Sequence, residues 1–183
     1  MHSPRPIVPV PALSHDDLRG RRVIAGLPGL GWRHNLRADE KVVRGSRTYV
    51  PVLSEHEWYK AELEQIEVFA PLVPADRVWV ETLGRHEDLG NLHGDGSGLV
   101  SLDGPPTRYP IAVGLAVRIT GQRLVHLIDG VERRDMRGVT ERYISDAGAA
   151  CVHVATEVEW YRWTWTGKPP KTLELQVDAI WLE

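Results

Sequence analysis

A chain of 183 residues with 42% apolar and 26% charged residues has the composition of an ordinary globular protein, and it can bury a sizeable core. No apolar run approaches the roughly 20 residues of a membrane span, residues 1–13 lack the layout of a signal peptide, and the single cysteine, Cys151, excludes an internal disulfide framework. The net charge is −3, but charge is unevenly distributed along the chain. Residues 1–53 carry nine Lys/Arg and four Asp/Glu, whereas residues 54–103 carry three Lys/Arg and eleven Asp/Glu. These features predict a cytoplasmic protein, or one assembled into a particle after cytoplasmic synthesis.

The chain opens with a proline-rich stretch over residues 1–12, which we expect to form an extended arm. Proline fixes φ and lacks a backbone donor, so neither a helix nor a central strand is predicted there. Residues 13–183 are expected to form a single domain. The glycine-rich loop over residues 26–31 lacks the Gly-Lys-Ser/Thr ending of a P-loop, which favours a plain connection over a phosphate site.

The best helix prediction covers residues 55–67. Ser54 is the expected N-cap, and Glu57 closes a capping box three residues later. One face of this helix carries the residues expected to pack on the core: Tyr59, Leu63 and Ile66. The prolines that follow prevent the helix from continuing.

Strands dominate the second half of the sequence. A nearly continuous apolar run predicts a central strand over residues 110–119, with a helix as the less favoured alternative. Asp129-Gly130 is a strong hairpin signal. Residues 172–182 alternate apolar and polar side chains, with Trp181 on the buried face. Their expected partner is a strand over residues 152–165, joined by a Gly-Lys-Pro-Pro turn. No internal repeat is expected.

These elements together predict the α+β class, because one helix followed by a run of antiparallel strands is typical of it. The expected architecture is an antiparallel, strand-dominated sheet with one main amphipathic helix and a proline-rich N-terminal arm.

A loop rich in imidazole and carboxylate groups covers residues 86–95. Two histidines and two aspartates are residue types that bind zinc or a similar divalent ion: His86, Asp88, His93 and Asp95. Their spacing matches no established motif, so a solvated acidic loop is the favoured interpretation. A bound metal would make the chain a metal-dependent enzyme, with that ion as its cofactor.

Basic and aromatic residues lie close together near the start of the chain, with Trp32 and Arg33 at the centre. Aromatic rings beside arginines suit single-stranded nucleic acid. The whole chain is nevertheless acidic, with a sequence pI near 6.2. That balance favours a protein contact or a salt-bridged surface over nucleic-acid binding.

Large rings occupy both faces of the strand predicted over residues 152–165. Near its end lie residue types that are enriched at interface hot spots: Trp160, Tyr161, Arg162, Trp163 and Trp165. One face is therefore expected to contact a partner or ligand. A strand covered on both sides by the core is the alternative.

The arm, the opposed charge blocks and the aromatic strand together predict a non-enzymatic binding or assembly subunit of a phage or another multi-protein complex. Its partner is expected to be another protein or a second copy of the chain, and no membrane contact is predicted. Two alternatives stay open: a metal-dependent enzyme that uses the 86–95 loop, and a nucleic-acid-binding accessory protein.

Overall fold

The computed structural model describes residues 3–27, 31–85 and 104–183, and antiparallel strands dominate it. Two sheets and two α-helices account for the regular structure, which confirms the α+β class. Within the described ranges, no helix is long and apolar enough to cross a membrane.

Contacts divide the chain into two compact units. The N-terminal unit comprises Ile7–Thr107, and the C-terminal unit comprises Arg108–Glu183 together with the residues up to Pro6. Each unit has its own sheet, helix and apolar core. That residues 13–183 fold as one domain stays a prediction.

The sheet of the N-terminal unit has seven strands in the order β1-β7-β2-β3-β5-β4, with β6 paired to β5. Helix α1, Glu55–Glu64, connects β5 to β6. The strands are β1 Ile7–Pro11, β2 Arg22–Leu27, β3 Gly31–Ala38, β4 Val42–Arg44, β5 Arg47–Ser54, β6 Leu72–Pro74 and β7 Val78–Leu83.

The sheet of the C-terminal unit has the order β11-β12-β10-β9-β14-β8, with β13 paired to β12. Helix α2, Glu157–Thr166, connects β12 to β13. The strands are β8 Ile111–Ala112, β9 Arg123–Ile128, β10 Val131–Gly138, β11 Tyr143–Ile144, β12 Ala150–Thr156, β13 Leu173–Gln176 and β14 Ile180–Leu182.

The two units therefore repeat one topology, strand for strand and helix for helix. The sequence carries the same repeat in two short motifs. Ser54–Lys60 reads S-E-H-E-W-Y-K and Thr156–Arg162 reads T-E-V-E-W-Y-R, while D-R-V-W-V-E after β6 corresponds to D-A-I-W-L-E after β13. The expectation of no internal repeat is wrong, because turns of different length change the spacing between equivalent residues and most core positions exchange one apolar residue for another.

The core of each unit follows from strands whose alternate residues point inward. In the N-terminal unit the buried side chains include Leu18, Val23, Leu36, Val50, Val78 and Val80. In the C-terminal unit they include Ile119, Leu124, Met136, Val152, Val154 and Ile180. Each such side chain stabilises the fold by about 1.5–3 kcal/mol. Trp181 is buried, as the alternation in the last segment predicted.

Helix α1 begins as predicted. The backbone N–H of Glu57 donates to Ser54 Oγ at 3.2 Å, and the N–H of Ser54 donates to the Glu57 carboxylate at 3.3 Å, which completes the capping box. The helix ends earlier than the predicted residue 67, because Gln65 adopts a left-handed conformation with φ of 52°. Leu63 and Ile66 are 41% and 46% exposed, so the prediction that they lie on the buried face is wrong.

The second helix replaces part of a predicted strand. Residues 152–156 are extended in β12, but residues 157–166 form α2, so the expectation of one main helix is wrong. Thr156 caps α2 by accepting the backbone N–H of Glu159 at 3.3 Å. This Thr-x-x-Glu signal is the counterpart of Ser54-x-x-Glu57, and the aromatic content of the segment obscured it. The predicted antiparallel pairing itself is present, since Val152 lies opposite Leu175.

Two other predictions in the second half have different outcomes. The Asp129-Gly130 hairpin is confirmed, because both residues adopt positive φ between β9 and β10. The central strand over residues 110–119 is wrong. Only Ile111–Ala112 is extended, at a sheet edge, and a 3-10 turn over Val113–Leu115 follows it.

The proline-rich start is held in two places. Arg5 donates its backbone N–H to Glu132 Oε1 at 2.7 Å within the C-terminal unit. Ile7–Pro11 forms β1, which pairs with β7 at the edge of the N-terminal sheet. An edge strand tolerates Pro9 and Pro11, because one of its sides makes no ladder hydrogen bonds. Part of the predicted arm is therefore a strand.

Removing the cap of α1 should destabilise the chain. Ser54→Ala leaves the Glu57 amide without its side-chain acceptor and should cost about 0.5–2 kcal/mol of unfolding free energy. Chemical denaturation of the variant and the parent measures the difference. Equal unfolding midpoints and slopes would show that the capping box does not hold this helix.

Candidate functional site

Each unit buries one glutamate at the first position of its helix. Glu55 and Glu157 are both 0% exposed. Two arginines approach each carboxylate from neighbouring strands. Arg37 Nε lies 3.2 Å and Arg22 Nε 3.7 Å from Glu55 Oε1. In the C-terminal unit, the Nε atoms of the equivalent Arg137 and Arg123 lie 3.4 and 3.3 Å from Glu157 Oε1.

The arginine on the longer hairpin strand of each unit also reaches the helix and a turn. Arg37 Nη2 donates to the hydroxyl of Tyr59 at 2.8 Å, and Nη1 donates to the carbonyl of Gly20 at 2.9 Å. Arg137 makes the same two bonds, to Tyr161 at 2.8 Å and to the carbonyl of Gly121 at 2.8 Å. We call each set of two arginines, one glutamate and one tyrosine the buried Arg–Glu–Tyr cluster.

A glycine-containing turn lies beside the cluster in both units. Gly20 and Gly121 have φ of 73° and 78°, a conformation that glycine adopts without strain. A Cβ on Gly20 would stand 3.4 Å from the ring of Trp58, and one on Gly121 would stand 3.6 Å from the ring of Trp160. The helix tryptophan therefore packs over a turn whose carbonyl the cluster arginine binds.

The clusters are built to hold the fold together. The opposite charges of the guanidinium groups and the carboxylate offset part of the cost of taking each charge out of water. Because α1 and α2 each contribute the glutamate and the tyrosine, the cluster fixes each helix to its sheet. The sequence contained a signal for them in the repeated Glu-x-Glu-Trp-Tyr motif, which places Glu and Tyr one helical turn apart.

The predicted aromatic contact residues lie on α2 rather than on a strand. Tyr161 is buried in its cluster, and Trp160 stacks over Arg137 at 5.1 Å. Arg162 is exposed and pairs with Glu159 at 2.8 Å. The remaining two, Trp163 and Trp165, are half-buried. A contact role for these five residues stays a prediction.

Trp32 and Arg33 lie on β3. The ring of Trp32 meets the ring of Trp79 edge to face, with centroids 5.0 Å apart, while Arg33 is exposed. A Cβ on Gly26 would stand 2.8 Å from the Trp32 ring. The first glycine of the predicted 26–31 loop therefore makes room for a tryptophan.

The predicted metal ligands His86, Asp88, His93 and Asp95 lie outside the described residues, so that site stays a prediction. Over residues 3–27, 31–85 and 104–183, no group of three or more His, Cys, Asp or Glu is placed to hold a metal ion.

The C-terminal unit carries a polar surface cluster that the sequence did not predict. The Tyr143 hydroxyl donates to the carboxylate of Glu174 and also contacts His153 Nε2. His153 Nε2 and Glu174 lie 3.6 Å apart. Their strands are adjacent, with Tyr143 on β11, His153 on β12 and Glu174 on β13. Pairing across three strands brings these residues together, and no local motif reports that pairing.

The electrostatics of this surface cluster keep the Tyr143 hydroxyl protonated. Desolvation, the hydrogen bond to Glu174 and the charge of that carboxylate raise the pKa of Tyr143 to about 12. The hydroxyl therefore acts as a donor to Glu174 at neutral pH.

No protein-family model, curated protein or solved structure matches this chain. Its function is therefore inferred from the geometry of its own residues.

Truncating the buried glutamate should be far more damaging than truncating an exposed one on the same helix. Glu55→Ala leaves Arg22 and Arg37 close together in the core and should cost about 3–5 kcal/mol. Glu62→Ala is the matched control, because its pair with Arg19 spans 3.9 Å at the surface and should contribute at most about 1 kcal/mol. Urea unfolding compares the two, and similar losses would contradict a structural role for the cluster.

Removing the charge beside Tyr143 should lower its pKa. In Glu174→Gln the carboxylate acceptor is lost, so the phenolate forms at lower pH than the value of about 12 in the parent. The absorbance of the phenolate against pH, taken as the difference from Tyr143→Phe versions of both proteins, isolates this residue. An unchanged midpoint would show that Glu174 does not hold the hydroxyl proton.

Proposed function

We propose that this protein is a non-enzymatic assembly subunit that associates with further copies of itself. The observation that carries the proposal is the opposite chemistry of two equivalent segments, one in each repeat. The acidic–apolar segment covers residues 62–69 at the end of α1, and the basic–aromatic segment covers residues 162–173 at the end of α2.

The acidic–apolar segment is exposed along its length. It carries three glutamates and no basic residue. Its large apolar side chains are all open to solvent, with Phe69 88% exposed: Leu63, Ile66, Val68 and Phe69. Contiguous exposed apolar side chains of this kind mark contact surfaces.

The basic–aromatic segment has the complementary character. It carries Arg162, Lys168 and Lys171 and no acidic residue. Its apolar side chains are the half-buried Trp163 and Trp165 and the exposed Leu173. Tryptophan and arginine are enriched among the residues that dominate interface affinity.

Charge complementarity supports a second copy of the chain as the partner. Three negative charges on one segment face three positive charges on the other when copies meet, which favours this pairing and disfavours contact between like segments. A contact between two different surfaces is heterologous, so it propagates into a ring or an open array. A subunit that assembles into a particle requires contacts that propagate in this way. The proposal includes synthesis of the chain in the cytoplasm before it assembles.

Polar substitutions in the acidic–apolar segment should weaken association without unfolding the chain. Leu63→Ser with Phe69→Ser removes two exposed apolar contacts and should weaken self-association by several kcal/mol, about the size of hot-spot truncations. Leu115→Ser with Val117→Ser is the matched control, because both residues are at least 81% exposed outside either segment. Sedimentation velocity over a concentration series measures association, and thermal unfolding reports the fold.

Two outcomes would contradict the proposal. The parent could sediment as a monomer at concentrations of tens of micromolar, or the control pair could lose association as fully as the pair in the segment. Trp163→Ser with Trp165→Ser tests the basic–aromatic segment. This pair should give the same loss of association as Leu63→Ser with Phe69→Ser.

A further inference from the structure

The N-terminal unit carries an open groove of about 490 Å³ between the start of β5 and the turn that follows β6. Its polar lining combines two hydroxyl groups, two guanidinium groups and one carboxylate: Ser46, Thr48, Arg47, Arg77 and Asp76. A volume within roughly 300–1,000 Å³ is that of a small-molecule site.

A third arginine is the strand partner of Arg47, which lines this groove. Arg44 lies directly opposite Arg47 in the β4–β5 hairpin, which turns through Gly45 with φ of 62°. Side chains directly opposite each other in an antiparallel pair project on the same side, and like charges there are destabilising. Among the described residues, neither Arg44, Arg47 nor Arg77 forms an ion pair. The hairpin therefore places two positive charges side by side, and neither has an ion-pair partner among the described residues.

The internal repeat supplies a comparison within the same chain. The C-terminal unit keeps an equivalent groove of about 330 Å³. It is lined by Ala149, Ala150, Gln176, Val177 and Asp178. Strand register places Ala149 and Ala150 at the positions of Arg47 and Thr48.

The two grooves differ at the positions of the arginines and agree at the position of the aspartate. The aspartate is common to both grooves, whereas the position of Arg77 is Ala179 and the pair Arg44–Arg47 has no arginine counterpart. The fold forms without these cations in one repeat, so their presence in the other requires a separate reason.

We propose that the groove of the N-terminal unit binds a compact oxyanion: the phosphate or diphosphate group of a small molecule. Arg47 and Arg77 present planar guanidinium forks that match the oxygens of a phosphate group. The hydroxyls of Ser46 and Thr48 donate to the same group. A bound anion also relieves the repulsion between Arg44 and Arg47, and Asp76 offsets only part of the positive charge.

The site is independent of the proposed self-association, because none of its residues belongs to either segment. The test uses the full chain and inorganic pyrophosphate as the probe, with isothermal titration calorimetry at physiological salt. We expect one equivalent to bind the parent. Arg47→Ala with Arg77→Ala should weaken that binding by about tenfold or more, because two charge-assisted contacts are lost.

The control variant carries Arg33→Ala with Arg118→Ala. It removes the same number of positive charges from exposed positions outside the groove, so pyrophosphate should bind it as tightly as the parent. Sedimentation of the groove variant should match that of the parent, which separates this site from the assembly surfaces.

Three results would overturn the proposal. One is the absence of pyrophosphate binding by the parent at millimolar concentration. Another is an equal loss of affinity in the control variant, which would show a general effect of surface charge. The third is tight binding of a single-stranded oligonucleotide where pyrophosphate does not bind, since the ligand would then be a nucleic-acid backbone rather than a compact anion.

Discussion

The contact on which both units depend is the pair of guanidinium groups around one buried carboxylate. Removing a carboxylate from water costs several kcal/mol, and only well-placed opposite charges and donors offset that cost. Here the offset comes from three sources: two arginines, the tyrosine hydroxyl that binds one of them, and the N-terminus of a helix, whose dipole stabilises negative charge. Glu55 and Glu157 each stand at that first helical position. Loss of the glutamate would leave two like charges close together without their shared counter-ion.

The cluster also explains how α1 is stable although it buries few apolar side chains. α1 presents little apolar surface to its sheet, since Leu63 is largely exposed and the buried residue of the helix is Glu55. A helix of this length is marginal without tertiary contacts. The salt-bridged glutamate and the arginine-bound tyrosine replace the usual apolar stripe, and α2 repeats the solution with Tyr161 buried.

Local patterns predicted the parts of the fold that depend on neighbouring residues. The capping box at Ser54, the hairpin at Asp129-Gly130 and the burial of Trp181 each follow from a few adjacent side chains, and the structure has all three. The strand predicted through residue 165 is wrong, because valine, threonine and tryptophan content outweighed the cap signal at Thr156. The repeated Glu-x-Glu-Trp-Tyr motif marks only the helix side of each cluster. The arginines come from strands distant in sequence, and pattern alone assigns glutamate to the surface.

The internal repeat connects this fold to the proposed function. The two repeats keep the cluster, the tryptophan over the glycine turn and the sheet order, so those features are the requirements of the fold. They differ in surface charge, with glutamates in the acidic–apolar segment and lysines in the basic–aromatic segment, and the proposed association pairs these two segments between copies.

Exchanging the charges of the acidic–apolar segment and the basic–aromatic segment tests the central claim most directly. One variant carries Glu64→Lys and Glu67→Lys, and the other carries Lys168→Glu and Lys171→Glu. Each variant alone brings like charges together and should sediment as a monomer. An equimolar mixture at the same total concentration restores opposite charges at every contact, so it should associate as the parent does. A mixture that stays monomeric, or a single variant that associates as fully as the parent, would contradict the account.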